Sequence, residues 1–173
     1  MFRDKIKKPA ALKKIIAGLK KKGKRIVFTN GCFDLIHYGH AKYLQEAKRK
    51  GDILVVALNS DSSVRRIKGR HRPIVSQKDR MSLVAALASV DYVTSFTRKT
   101  PAELIKLIVP DVLIKGADWD KNDIVGGSFV RACGGKVLAL KLAKGRSTTN
   151  LIKKIAENYF KTKIIKRNIE KIC

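Results

Sequence analysis

The chain has 173 residues, 45% of them apolar, enough for one core and one expected domain across residues 1–173. Its formal net charge of +25 favours anionic partners: nucleotides, nucleic acid or an acidic membrane surface. No apolar run approaches bilayer-spanning length, lysines interrupt the N-terminus where a secretory signal needs an apolar core, and Cys32, Cys133 and Cys173 form no CxxC pair. The expectation is a cytoplasmic chain with reduced thiols, no zinc or other protein-held metal site, and no membrane partner.

Residues 1–24 read as a lysine-rich amphipathic helix, with Leu12, Ile15, Ile16 and Leu19 on one face. Arg25 to Thr29 is the first strand. A helix follows on Ala41, Leu44 and Ala47, ending near Gly51. Ile53 to Asn59 is the second strand. Met81, Val84, Ala85 and Ala88 mark a helix capped at Ser76, with Asp79 three residues on. Tyr92 to Phe96 is the third strand. Thr100 is the expected cap of the next helix, with Pro101 at its first position and Glu103 closing a capping box. Leu104, Leu107 and Ile108 form its buried face, and Pro110 stops it. Val112 to Lys115 and Lys136 to Leu140 complete the strands, and Leu151, Ile152, Ile155 and Tyr159 mark a last helix. Residues 160–173 form a second basic tail, with Ile164, Ile165, Ile169 and Ile172.

Four of the strands are Val/Ile/Leu-rich and do not alternate, which suits a parallel sheet covered on both faces. The fold class is therefore α/β: a doubly wound, Rossmann-like parallel sheet of about five strands with flanking helices. Its ligands belong beyond the carboxyl ends of the strands, near the switch point. The lysines are dispersed and aromatics are few. The excess charge therefore reads as solvated helix faces, with no specific nucleic-acid partner.

The chemistry lies in Thr29-Asn30-Gly31-Cys32-Phe33-Asp34-Leu35-Ile36-His37-Tyr38-Gly39-His40, between the first strand and the first crossover helix. Two of the three histidines lie here. Gly31 and Gly39 let backbone approach a phosphate. His40 sits near a helix start, where free amides and the dipole favour anions. No P-loop, GxGxxG turn after the first strand, zinc spacing or GxSxG elbow competes with it.

The HxGH run after the first strand resembles the signature of the nucleotidyltransferase superfamily shared with class I aminoacyl-tRNA synthetases. The longer TNGCFDLIHYGH is similar to the adenylyltransferase family that makes ADP-heptose from D-glycero-β-D-manno-heptose 1-phosphate and ATP. Further segments carry the same resemblance, in order over residues 10 to 156: Asn59-Ser60-Asp61, Lys68-Gly69 with Arg72-Pro73 and Arg80, Val90-Asp91, Pro110-Asp111 with Lys115-Gly116, and Ser147-Thr148-Thr149-Asn150. Trp119 stands where that family more often has tyrosine. Asp118-Trp119 also resembles glycerol-3-phosphate cytidylyltransferases, which usually carry GTFD in place of Gly31-Cys32-Phe33-Asp34.

The resemblance implies that His37 and His40 hold and stabilise the transferring phosphate, with Lys68 and Arg80 neutralising phosphate charge. It implies nucleotide contacts from Cys32, Phe33, Gly39, Lys115, Gly116, Gly145, Arg146, Ser147, Thr148 and Thr149. Substrate contacts fall to Asp34, Asp61, Asp118 and Trp119. By residue chemistry alone, Asp34 is equally a turn cap and Ser147 to Thr149 are equally helix caps, while surface charge is the commoner fate of residues such as Lys68 and Arg80 and a lone Trp such as Trp119 is more often core. The implied reaction is AMP transfer from ATP to a sugar 1-phosphate in the biosynthesis of the lipopolysaccharide core, with Mg²⁺ accompanying ATP. A homodimer and a separate heptose kinase supplying the substrate are the implied partners. A cytidylyltransferase using CTP and glycerol 3-phosphate is the alternative, and a basic nucleic-acid-binding module a more remote one.

Overall fold

A computed structural model describes residues 1–116, 124–141 and 145–170, with side chains as far as Tyr159. Five parallel strands form one sheet: β1 (Ile26–Gly31), β2 (Ile53–Asn59), β3 (Tyr92–Phe96), β4 (Val112–Gly116) and β5 (Lys136–Leu140), in the order β3-β2-β1-β4-β5. Registers run Val27↔Leu54 and Val27↔Val112 on the two sides of β1, then Val56↔Val93 and Leu113↔Val137 outward. The order reverses between β1 and β4. Their carboxyl ends therefore open the switch-point crevice that such sheets use for ligands.

The helices are α1 (Pro9–Lys21), α2 (Tyr38–Lys48), α3 (Asp61–Lys68), α4 (Gln77–Ala86), α5 (Ala102–Ile108), α6 (Gly127–Ala132) and α7 (Thr148–Glu170). They cover both faces, and strand side chains alternate between two cores. Val27, Leu54, Val56 and Leu58 pack with Tyr43, Leu44 and Ala47 of α2 and with Met81, Val84 and Ala85 of α4. Ile26, Phe28, Val55, Ala57 and Leu113 pack with Leu12 and Ile16 of α1, with Leu104, Ile105 and Ile108 of α5, and with Val130 of α6. No helix among the described residues is long and apolar enough to cross a membrane.

Aspartates tie the amino ends of the strands. Asp111 Oδ2 accepts from Ile26 N at 2.7 Å, and Asp91 Oδ2 from Leu54 N at 2.6 Å. Lys20 and Lys48 pair with these two carboxylates at 3.2 and 2.5 Å. The aspartates of the Val90-Asp91 and Pro110-Asp111 motifs thus anchor the sheet at the end opposite the crevice.

Three expectations are corrected. The N-terminal segment is not one helix. A short 3₁₀ turn (Phe2–Lys5) precedes an extended stretch in which Ile6 bridges Val93 and Lys7 N donates to Val93 O at 2.9 Å, and α1 starts only at Pro9. Proline restricts the residue before it to extended backbone, so the helix cannot begin earlier. Thr100 does not cap α5: Pro101 itself is the N-cap residue, with no side-chain cap, because the helix starts one residue later than the Thr-Pro pattern implied. The helices α3 and α6 were not expected. Ser60 caps α3 by accepting from Ser63 N, and Ser76 caps α4 through Asp79 N as anticipated.

Candidate active site

The crevice is built from the loop between β1 and α2, the end of β4 and the start of α7. The loop leaves β1 through Phe33, whose φ of 47° is left-handed and uncommon for a bulky residue. His37 is the N-cap residue of α2 and His40 lies in its first turn. Their rings stack, with centroids 3.9 Å apart and planes at 21°, and Phe33 sits 5.3 Å from His40. Gly39 makes this possible. A Cβ there would lie 3.0 Å from both Cε1 and Nδ1 of His37 and 3.1 Å from Arg146 Cβ.

Both ring nitrogens of His37 and Nδ1 of His40 are buried and find no hydrogen-bond partner among the described residues. Buried polar groups are normally paired, so these nitrogens are open to partners from outside the chain. Burial, and to a lesser degree the Arg146 charge, holds the His37 pKa below its ordinary value. Burial, with His37 beside it, pushes His40 down to about 4. The rings are therefore neutral near pH 7, each with a donor to offer and no competing ion pair. The first amides of α2 add donors and the positive end of the helix dipole.

Arg146 flanks His37, and Gly145 before it takes a left-handed φ of 71°. Ser147 Oγ accepts from Asn150 N at 3.1 Å, a cap on α7, while Thr148 Oγ1 donates to Leu35 O at 3.4 Å. Thr149 is exposed on the first turn of α7. Lys115 Nζ, from the end of β4, donates to Asn30 O at 3.2 Å and thereby bridges the switch point, with Gly116 beside it. The structure brings His37, Gly39 and Arg146 into contact and ties Leu35 to Thr148 and Asn30 to Lys115. Asp118 and Trp119 lie outside the described residues.

Three of the expected ligand contacts are bonded to other groups of the chain. Arg80 is fully buried, and its guanidinium donates to Val75 O at 3.1 Å, Asn59 O at 2.9 Å and Cys32 O, and pairs with Asp61 at 2.7 Å. It ties the ends of β1 and β2 to the segment before α4 and presents no free charge to a phosphate. Asp61, its partner, also accepts from Gln77 N at 3.2 Å. Asp34 is 1% exposed and accepts from Ile74 N at 2.9 Å, Val75 N at 2.9 Å and Arg72 Nε at 2.5 Å. Burial alone raises a carboxyl pKa, but here the amides of Val75 and Ile74 and the Arg72 guanidinium outweigh it and hold Asp34 below the usual range. Asp34 thereby anchors the segment before α4 to the β1–α2 loop. Lys68 is exposed, and its charge reaches Cys32, whose thiol burial pushes up. Two residues that the sequence reading did not single out also take part in this framework: Asn30, whose carbonyl Lys115 holds, and Arg72, the partner of Asp34. For Asn30 the signal was its place in the TNGCFD run; nothing local marks Arg72 as the partner of Asp34.

No three His, Cys, Asp or Glu side chains converge on a metal site among the described residues. With Asp34 committed to Arg72 and two amides, the donor set among the described residues is cationic or neutral and suits phosphate oxygens.

A parallel sheet with this strand order, and unpaired imidazoles over a helix start at its switch point, define a nucleotide-binding α/β domain. Residues 28–168 match the family model described as Cytidylyltransferase-like, and the chain belongs to that family. It is 47% identical over 158 residues to the bifunctional protein HldE of Syntrophotalea carbinolica, covering 91% of this chain and 32% of that protein. The HldE proteins of Geobacter sulfurreducens (50% over 155 residues; 90% and 32%) and Aliarcobacter butzleri (51% over 147 residues; 85% and 30%) are similar to it as well. The chain thus spans about a third of the length of these curated relatives. Among solved structures, the lipopolysaccharide core biosynthesis protein of Thermoplasma volcanium superposes with a TM-score of 0.59 at 29% identity, covering 72% of this chain and all of that one. The expected fold class and superfamily are the ones found.

Proposed function

We propose that the chain transfers AMP from ATP to a sugar 1-phosphate, D-glycero-β-D-manno-heptose 1-phosphate, giving ADP-heptose and pyrophosphate for the lipopolysaccharide core. The single observation that carries this is the stacked His37–His40 pair with unpartnered ring nitrogens at the switch point. The HldE relatives and the lipopolysaccharide core biosynthesis protein support the sugar-nucleotide branch of the family.

An oxygen of the sugar phosphate attacks the α-phosphorus of ATP in line, and the bond to the β-phosphate oxygen breaks to release pyrophosphate. No covalent enzyme intermediate forms. His37 and His40 donate to the transferring phosphate as charge develops on its oxygens, together with the first amides of α2. Arg146 and Lys115 hold negative charge across the crevice. Arg80, Asp34 and Arg72 keep the loops under these groups in place. Mg²⁺ bound with ATP would neutralise phosphate charge, while Lys115, Arg146 and the first amides of α2 meet that charge from the protein side. The sugar 1-phosphate is the product of a sugar-phosphorylating reaction, in this reading that of a heptose kinase.

The test is pyrophosphate release from four nucleoside triphosphates against a panel of sugar and polyol phosphates. ATP with heptose 1-phosphate should turn over. Turnover with CTP and glycerol 3-phosphate, and none with ATP and any sugar 1-phosphate, would replace this reading with the cytidylyltransferase one.

A further inference from the structure

Asn30 is the last residue but one of β1, flanked by Ala57 of β2, with Ile114 of β4 one register position back. Its side-chain Oδ1 is buried and finds no donor among the described residues. Its own main-chain carbonyl is held by Lys115 Nζ at 3.2 Å, which fixes the residue at the switch point. An unpaired buried acceptor is costly, and a rigid strand end keeps it from finding a local partner. The residue as a whole is only partly buried. The terminal torsion of Asn is broad, so the amide can turn Oδ1 into the crevice without moving the strand.

The polarity of the surrounding groups narrows what Oδ1 can receive. His37, His40, Lys115, Arg146 and the first amides of α2 are donors, suited to phosphate oxygens, which at neutral pH bring almost no protons of their own. The nearby carboxylate, Asp34, already accepts from two amides and Arg72. The Thr148 hydroxyl donates to Leu35 O. Asn30 Oδ1 is thus an uncommitted, buried acceptor at the strand end that leads into this donor-rich loop, and a phosphate cannot satisfy it.

We propose that Asn30 is a specificity-determining residue whose Oδ1 accepts a hydrogen bond from a sugar hydroxyl of a bound substrate. The inference rests on the transferase reading for its two hydroxyl sources, the ribose of the nucleotide and the sugar of the co-substrate. A site built to pair with a hydroxyl rejects analogues that lack it far more strongly than a shape-matched apolar pocket does. Asn30 would therefore filter ligands by their hydroxyls, while the histidines and cations bind any suitable phosphate.

The variants are Asn30→Leu, close in size and without an acceptor, and Asn30→Ala. Calorimetry measures binding of ATP, 2′-deoxy-ATP and heptose 1-phosphate separately, and thermal unfolding is followed without ligand. Affinity for either ATP or heptose 1-phosphate should fall roughly tenfold to a hundredfold, the range for stranding one buried hydroxyl. The ligand affected identifies the source. If it is ATP through the 2′-hydroxyl, 2′-deoxy-ATP binds parent and variant alike. The unliganded Asn30→Leu protein should melt at the parent temperature or above it, because an unpaired buried acceptor has been removed. The proposal is overturned if neither affinity changes by threefold. It is equally overturned if both variants lose much of their stability without ligand, which would make Asn30 structural. A parent protein that binds both ligands and releases no pyrophosphate would sink the transferase reading alone, and the binding comparison would still test Asn30.

Discussion

Replacing Gly39 by alanine separates the histidine geometry from the stability of the fold. The added Cβ would sit 3.0 Å from two atoms of the His37 ring and 3.1 Å from Arg146 Cβ, so the imidazole must move by a few tenths of an ångström or α7 must shift. Crowding a packed position costs about 1–3 kcal/mol. Gly39 lies inside α2, where alanine regains about 1 kcal/mol of helix propensity, so the net loss of stability should be at most about 2 kcal/mol. Catalysis is less forgiving, since a misplacement of about 1 Å costs on the order of 10²-fold. A shift of a few tenths should then lower kcat by about tenfold, approaching a hundredfold if both rings turn. Pyrophosphate release measures the rate, calorimetry with ATP alone measures the phosphate site without the second substrate, and a melting curve measures the fold. A variant that binds ATP and turns over within threefold of the parent would refute the claim that the His37 position matters.

Further outcomes follow from the site geometry and the charge. His40→Ala should fold and lose about 10²–10³-fold in kcat, the scale for one positioned donor. Because the folded pKa of His40 is about 4 against an ordinary 6.5, its contribution to stability is present above pH 6.5 and lost as pH falls toward 4. Denaturant titrations should show up to about 3 kcal/mol of such loss, less what solvent screens at this half-buried ring, and His40→Asn should flatten that part of the profile. Arg80→Met should destabilise by about 3–5 kcal/mol, because it strands Asp61 and three carbonyls; a variant of parental stability would mean the network is not structural. The excess positive charge should bind RNA or DNA only at low salt and lose it near about 0.2 M, without sequence preference, as filter binding would show. Removing residues 161–173 should weaken that binding and spare nucleotidyl transfer.

Most strands were legible because a buried parallel sheet demands continuous Val, Ile and Leu, and Ile53–Asn59 and Lys136–Leu140 fall where that pattern put them; Tyr92–Phe96, with one Val between aromatic and hydroxyl residues, also falls where it was expected. Short helices were not. The eight residues of α3 and six of α6 are too brief to establish a period, and α3 was betrayed only by its Ser60 cap. In the site, the histidines and glycine of the β1–α2 turn announced themselves by local spacing. Arg80 did not reveal its role, because three of its four partners lie 19 to 48 residues away and an arginine in sequence looks the same whether it meets a phosphate or a carbonyl. Asp34 was ambiguous for the same reason: its donors, Arg72, Ile74 and Val75, are 38 to 41 residues downstream.

The contact of Gly39 with Arg146, and that of Leu35 with Thr148 across 113 residues, bear on the order in which the molecule becomes competent during synthesis. The β1–α2 turn leaves the ribosome early, and every strand follows before the start of α7 appears. A nascent chain can thus assemble its sheet while the clamp over His37 is still missing. Nucleotide held before that point would lack Arg146 and the first turn of α7. On the proposed reading, full retention of nucleotide arrives last, and a chain cut short before residue 146 would carry the fold's framework without the residues assigned to hold the substrate.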